Sequence, residues 1–256
     1  MCDGVSACLE AARDELRQGA DFLKIMVGGG DASPVDPLEM LQVTAEEIQA
    51  ITICARHLGK IVTAHAYTLE AVRHAVENEV MAIEHANFID EATARMCGEK
   101  GVSVTPTLVV YKAFVTAPYE HFLPSSGRQK CQQVIDKEAE SLKILKHAGV
   151  NVCYGTDLLT GMHLKQNDEF GIRAQVLSSE EILKHTTCNA AKLLKMEGMI
   201  GTLKHGAFAD MLILDRNPLD DIEILGKLNQ HCFAIIKEER VVMSKVVGLT
   251  KDEIVS

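Results

Sequence analysis

The chain has 256 residues, 47% of them hydrophobic and 24% charged, the balance of an ordinary globular protein rather than a disordered, collagen-like or low-complexity one. The length suits one large domain or two small ones, and is close to the roughly 250 residues of a minimal eight-stranded α/β barrel. With 26 basic and 36 acidic residues the net charge is −10, which argues against nucleic acid as a partner, since phosphate backbones need a basic patch.

The elements alternate. An amphipathic stretch from Val5 to Gln18 predicts a helix stopped by Gly19, and the apolar run from Phe22 to Val27 predicts a strand running into Gly28-Gly29-Gly30. Thr44 followed by two glutamates predicts a capped helix to Leu58, then a strand over Lys60–His65. A helix over Leu69–Asn78, a strand over Val80–Glu84, a helix over Glu91–Lys100 and a strand over Val102–Thr107 follow. Thr116–Gln129, with two prolines, reads as a surface loop before a helix over Gln132–His147 and a strand over Val150–Tyr154. Two further helices are expected, over Gln166–Leu177 and Ser179–Met196. The pattern then changes to strands at Ala209–Asp215, Cys232–Ile236 and Arg240–Val246, an antiparallel tail. Strand–helix alternation implies parallel strands with helical crossovers. The expected division is an α/β domain over 1–197 and a β tail over 198–256.

No apolar stretch reaches the roughly 18 residues that span a bilayer. Met1-Cys2-Asp3-Gly4 has no basic region followed by an apolar core, so no signal peptide and a cytoplasmic location are expected. Eight scattered cysteines with no Cys-x-x-Cys read as reduced, mostly buried thiols.

Polar residues sit at the C-terminal ends of the predicted strands, where barrel and open-sheet enzymes place their chemistry. Lys24 lies within an apolar run, His65 ends Ile61–Ala64, His85 ends Met81–Glu84, and Asp157 follows Val152–Thr156. One histidine at a strand end is more often a packing residue than a ligand, and a lysine in an apolar run can snorkel, pair or be modified. Four such residues at successive strand ends form a credible divalent-metal set. A phosphate loop at Gly28-Gly29-Gly30 is a weak alternative, because neither G-x-G-x-x-G nor a following Lys-Ser/Thr is present.

These segments carry a resemblance. Gly19-Ala20-Asp21-Phe22-Leu23-Lys24-Ile25-Met26 with Gly28-Gly29 resembles the fourth barrel strand of the amidohydrolase superfamily. Thr63-Ala64-His65-Ala66 resembles its fifth, Ile83-Glu84-His85-Ala86 its sixth, Thr105-Pro106-Thr107 its seventh and Tyr154-Gly155-Thr156-Asp157 its eighth. Gly206–Asp215 with Asn217-Pro218-Leu219 is similar to the chain's return into the family's small β-sandwich. The branch most resembled is that of imidazolonepropionase-like and Xaa-Pro-dipeptidase-like metal-dependent hydrolases. The implied fold is an incomplete TIM (β/α) barrel of strands four to eight plus a sandwich remnant.

The resemblance implies hydrolysis of amide, peptide or cyclic amide C–N bonds in a small-molecule or dipeptide substrate. The implied cofactor is one or two divalent metal ions, zinc above all, with a CO2-derived carbamate on Lys24 bridging the pair. His65 and His85 would bind the second metal. Asp157 would bind the first and act as general base. Tyr67 would either bind a substrate carboxylate or tetrahedral oxyanion, or simply pack. The family's His-x-His pair is absent from this sequence, so the first metal would lack two ligands. Five strands cannot close as a barrel does, and the open inner face would need an N-terminal portion or a homo-oligomeric partner. The alternative is an inactive remnant or a subunit that acts by association.

Overall fold

In the computed structural model, which describes residues 2–33 and 35–252, the chain divides into two units, Met1–Met162 and His163–Ser256. The first contains α1 (Val5–Arg17), β1 (Leu23–Met26), α2 (Ala45–His57), β2 (Val62–Thr68), α3 (Leu69–Glu77), β3 (Ala82–Phe88), α4 (Glu91–Glu99), β4 (Ser103–Thr105), α5 (Leu108–Phe114), α6 (Ser125–His147) and β5 (Asn151–Val152). The five strands are all parallel and lie side by side in chain order. Right-handed crossovers between strands in that order carry the connecting helices to one face of the sheet.

Local chemistry starts and stops these helices. α2 opens on a capping box: Thr44 Oγ1 accepts from the Glu47 amide and the Glu47 carboxylate accepts from the Thr44 amide. Glu47 also accepts from the Gly4 amide at 2.7 Å, which ties the start of α1 to the start of α2. Thr68 and Asp90 cap α3 and α4 with their side chains alone, accepting from the Ala71 and Thr93 amides. Gly59 and Gly149, at φ 67° and 66°, take the left-handed turn beyond α2 and α6 that a side chain resists.

The core lies between sheet and helices. Val62, Ala64, Ala66, Ile83, Val104 and Val152 from the strands pack with Leu16, Ile48, Val72, Val76, Ala94 and Leu145 from the helices. On β1 the opposite face is open: Lys24 and Met26 are exposed, and Phe22 just before the strand is 45% exposed.

Four expectations are corrected. β2 and β3 run on to Thr68 and Phe88, so His65 and His85 stand inside strands rather than at their ends. β4 stops at Thr105, because Pro106 offers no donor and Thr107 takes φ 51°. α6 begins at Ser125, so the loop expected over Thr116–Gln129 is helical over its last residues, and Leu108–Phe114, for which no element was expected, is a buried helix.

The second unit contains α7 (Asp168–Ala174), α8 (Ser179–Thr186), α9 (Cys188–Leu193), β6 (Met211–Leu214), α10 (Leu228–His231), β7 (Cys232–Lys237) and β8 (Arg240–Ser244). The fourth correction falls here: the helix expected over Ser179–Met196 breaks at Thr187, at φ −124° and ψ −96°. The Thr186 and Thr187 hydroxyls turn back onto the Leu183 carbonyl, at 2.9 and 2.5 Å. Gly201 approaches this break so closely that a Cβ there would lie 2.6 Å from the Thr187 carbonyl carbon. Inside α7, Arg173 Nε donates to Glu169 Oε1 at 2.7 Å with both side chains fully buried, and Arg173 Nη1 donates to His185 Nδ1 at 3.1 Å. β6, β7 and β8 form an antiparallel sheet in that order, with β7 and β8 joined through Glu238 and Glu239, both at positive φ. Among the described residues no helix is long and apolar enough to cross a membrane. The fold is thus α/β, with a five-stranded parallel sheet and a small antiparallel one.

Candidate functional site

Side chains alternate along a strand, so the core positions of β2 place Thr63, His65 and Tyr67 on the other face. Lys24 pairs with Thr63 and Met26 with His65 across β1 and β2, which puts Lys24 on that face too. Glu84 registers against His65 and accepts from the Thr63 hydroxyl at 2.6 Å. Strict alternation would send His85 to the helix side. The backbone prevents this: His85 has φ 79° and Ala86 φ 53°, and the β2–β3 register shifts just beyond. The His85 ring is thereby aimed at His65, with Nε2 2.8 Å from His65 Nδ1 and ring centroids 4.5 Å apart.

The outer nitrogens of both rings are anchored. His65 Nε2 lies 3.0 Å from the Gly29 carbonyl, which can only accept, so this nitrogen carries the proton. His85 Nδ1 lies 2.7 Å from both Thr107 Oγ1 and Tyr111 Oη. A single ring lone pair cannot accept from two hydroxyls at once. The Tyr111 proton goes to Tyr67 Oη at 3.2 Å, and the Tyr67 proton goes to the Asp31 carboxylate at 3.1 Å. With Tyr111 committed to Tyr67, Nδ1 either accepts from the Thr107 hydroxyl or, as Nδ1–H, donates to this pair of oxygens, and the second state is the one that leaves Nε2 bare for a metal.

The inner nitrogens lie 2.8 Å apart: with a proton on one of them the contact is an N–H···N bond, and with His85 protonated at Nδ1 both present lone pairs that a cation would bridge. Outer N–H groups held by a carbonyl or hydroxyl are the usual supports of metal-binding histidines. Two imidazole nitrogens on one tetrahedral zinc lie about 3.3 Å apart, so the pair needs to open by only about half an ångström. On chemistry and aim the two rings fit a divalent metal. Among the described residues, no group of three or more His, Cys, Asp or Glu side chains gathers as a metal site.

Electrostatics link the other expected residues to the pair. Burial pushes the His65 imidazole below its usual range, the Gly29 bond opposes this, and Lys24 adds to the depression. Burial, then His65, then Lys24 hold His85 well below the ordinary value. Asp157 is pushed above the usual carboxylate range by desolvation, against the pull of Lys24 and His65. Lys24 therefore lies within electrostatic reach of both rings and Asp157 within reach of His65, and both are exposed residues. Tyr67 is buried rather than placed at a mouth. It stacks on His85 at 4.6 Å and 9°, and burial raises its phenol well above normal.

Sequence reasoning missed Asp31, Tyr111 and Lys130. Asp31 follows three glycines and reads as loop, yet it is 7% exposed and also accepts from the Cys131 thiol. Lys130 on α6 spends all three donors on one loop, bonding the carbonyls of Gly30, Ser33 and Asp36 at 2.9, 2.8 and 2.6 Å. That loop carries both the Gly29 anchor and Asp31.

A singly wound parallel sheet with polar side chains gathered on the face away from its helices defines a protein of the barrel-related α/β class. The chain belongs to the amidohydrolase family, whose model matches residues 1–255. It is 28% identical over 225 residues to ochratoxinase of Aspergillus niger, covering 88% of this chain and 47% of that protein. It is 26% identical over 208 residues to imidazolonepropionase of Hyphomonas neptunium, covering 77% and 46%. A solved prolidase complexed with N-methylphosphonate-L-proline superposes with a TM-score of 0.92 at 40% identity, over 95% of this chain and 60% of that one. The chain spans about half the length of the curated relatives it matches.

Proposed function

We propose that this chain carries the metal-binding part of a metal-dependent hydrolase of amide, peptide or cyclic amide C–N bonds. Residues 1–197 would be a segment of an incomplete TIM barrel and 198–256 a sandwich remnant. The supporting observation is the pair of anchored imidazoles, His65 and His85, whose inner nitrogens meet at 2.8 Å in a chain of this family. His65 and His85 hold the ion, with zinc favoured by nitrogen donors. A bound divalent metal polarises a carbonyl and lowers the pKa of water. Lys24 stands exposed on the same face, open to CO2. Addition to its neutral amine forms an N–C bond and releases one proton, replacing a cation with a metal-binding anion. Asp157 takes the proton of the attacking water and passes it to the leaving amine. Its raised affinity for a proton suits that transfer. Tyr67 is proposed to bind the substrate carboxylate or the tetrahedral oxyanion, exchanging its Asp31 bond to do so. The substrates are small amides or dipeptides, and the ochratoxinase and prolidase likenesses support that class.

The test is zinc analysis of the purified chain after equilibration with Zn(II). Up to one equivalent is expected in the wild type, lost in Lys24→Ala and His85→Ala. Full occupancy unchanged by either substitution refutes the assignment. Hydrolysis of a panel of N-acyl amino acids and Xaa-Pro dipeptides, abolished by Asp157→Asn, tests the reaction. A second reading, a subunit acting by association, is favoured by one observation: two imidazoles, without a third gathered ligand, converge among the described residues.

A further inference from the structure

We propose that Asp31 is a positioning residue that fixes which nitrogen of His85 is left bare, acting through Tyr67 and Tyr111. The inference rests on the reading of His65 and His85 as metal ligands and deepens it.

A chain of hydroxyls has two directions, and its terminus chooses one. Asp31 is a carboxylate that only accepts. It takes the Tyr67 proton at 3.1 Å, so the Tyr67 oxygen is left to accept from Tyr111 at 3.2 Å. The Tyr111 oxygen is then left to accept from His85 Nδ1 at 2.7 Å. Two other groups lie near Tyr111: Thr107 Oγ1 at 3.2 Å, whose hydroxyl keeps the direction when it donates to Tyr111, and Asn87 Oδ1, more distant at 3.4 Å. Each step is buried: Asp31 is 7% exposed, Tyr67 1% and Tyr111 0%, so water does not relieve a wrong orientation.

Without an acceptor at position 31, the sequence of donations reverses. Tyr67 donates to Tyr111, Tyr111 donates to His85 Nδ1, and the ring proton moves to Nε2. That proton then occupies the lone pair facing His65 and blocks it for a metal. Asp31 itself never reaches the rings. Lys130 supports the arrangement from the other side, because it bonds the carbonyls of the loop on which Asp31 sits.

The experiment uses the full chain, labelled with 15N and free of metal. Long-range 1H–15N correlation reads the His85 tautomer, with His85→Gln to assign the signals. Competition with a chromophoric chelator then reads Zn(II) affinity. In the metal-free wild type a measurable share of His85 is expected with its proton on Nδ1, in competition with an Nε2–H bond to His65, and the absence of that share overturns the proposal. Asp31→Ala and Tyr67→Phe are expected to move this proton to Nε2 and to weaken Zn(II) binding about 10- to 100-fold, the usual effect of losing an outer-shell partner. Asp31→Asn keeps an acceptor oxygen and is expected to retain both properties. Cys131→Ala, which touches Asp31 outside this chain of bonds, is expected to change neither. Should Asp31→Ala fail to fold, Tyr67→Phe decides. The proposal is overturned if His85 keeps Nδ1–H in Tyr67→Phe, if Asp31→Asn behaves like Asp31→Ala, or if Cys131→Ala shifts the tautomer. A wild type that takes no Zn(II), yet switches tautomer as described, overturns the metal reading and leaves the positioning role standing.

Discussion

Replacing Arg173 with methionine is expected to loosen the second unit severely. Arg173 and Glu169 are both fully buried, with a 2.7 Å bond between them and a further bond from Arg173 to His185. Methionine fills much of the volume but leaves the Glu169 carboxylate in the interior without that cation. Removing one partner of a buried pair costs about 3–5 kcal/mol, a large share of the roughly 5–15 kcal/mol that holds a domain together. At about 1.4 kcal/mol per tenfold change, amide exchange in α7 and α8 is expected to speed up by about two to three-and-a-half orders of magnitude. Hydrogen-exchange mass spectrometry of peptides covering 168–186 reads this directly. The double variant Glu169→Leu/Arg173→Met removes both charges and is expected to recover most of the loss, since an apolar pair of similar volume replaces a buried ion pair at little cost. Acceleration under tenfold in the single variant, or a double variant as loose as the single, refutes the reasoning.

Three further outcomes follow from the same contacts. Burial and the Arg173 charge hold the His185 imidazole at about 3, below the ordinary 6.5. Above pH 6.5 folded and unfolded chains both carry it neutral; below that the unfolded chain takes a proton the folded one refuses. Stability is therefore lost as pH falls from 6.5 toward 3, at about 1.4 kcal/mol per pH unit, or about 2 kcal/mol by pH 5. Urea unfolding at pH 6.5 and 5 measures it, and His185→Gln should lessen the slope by close to one proton. Ser178→Ala removes the cap that accepts from the Glu181 amide at 3.3 Å and should cost about 1 kcal/mol, read as faster exchange in α8 alone. Gly29→Ala would place a Cβ 1.8 Å from the Pro37 carbonyl oxygen. The loop must move and take the His65 anchor with it, so Zn(II) affinity should fall at least about tenfold while circular dichroism stays close to wild type.

The alternation of apolar runs and glycine-stopped helices was readable because each strand and helix buries a face with its own period. His65 and His85 stood out for the same reason: polar rings beside long apolar runs. What was hidden depended on contacts distant in sequence. Leu108-Val109-Val110-Tyr111 is a short apolar run that local pattern cannot distinguish from a strand, and its helix is set by burial on all sides. Asp31 looks like a solvated loop residue until Tyr67 and Cys131, 36 and 100 positions away, are brought against it. The break at Thr187 is marked locally only by two successive threonines whose hydroxyls turn back onto Leu183, and the close approach of Gly201 is invisible in the sequence. His85 reaching His65 against strand alternation depends on two left-handed residues that no propensity announces.

That last feature has a bearing on how the chain would respond to selection. A left-handed φ at His85 and Ala86 is a conformation that glycine or asparagine adopts more readily than histidine or alanine. Held there, the two residues cost of order 1–3 kcal/mol each. A random library screened for heat resistance alone should therefore drift toward glycine or asparagine at positions 85 and 86. The same library screened for zinc retention should keep histidine at 85. The divergence of the two populations at these neighbouring codons would measure how far the backbone is held away from its own preference in order to aim one ring.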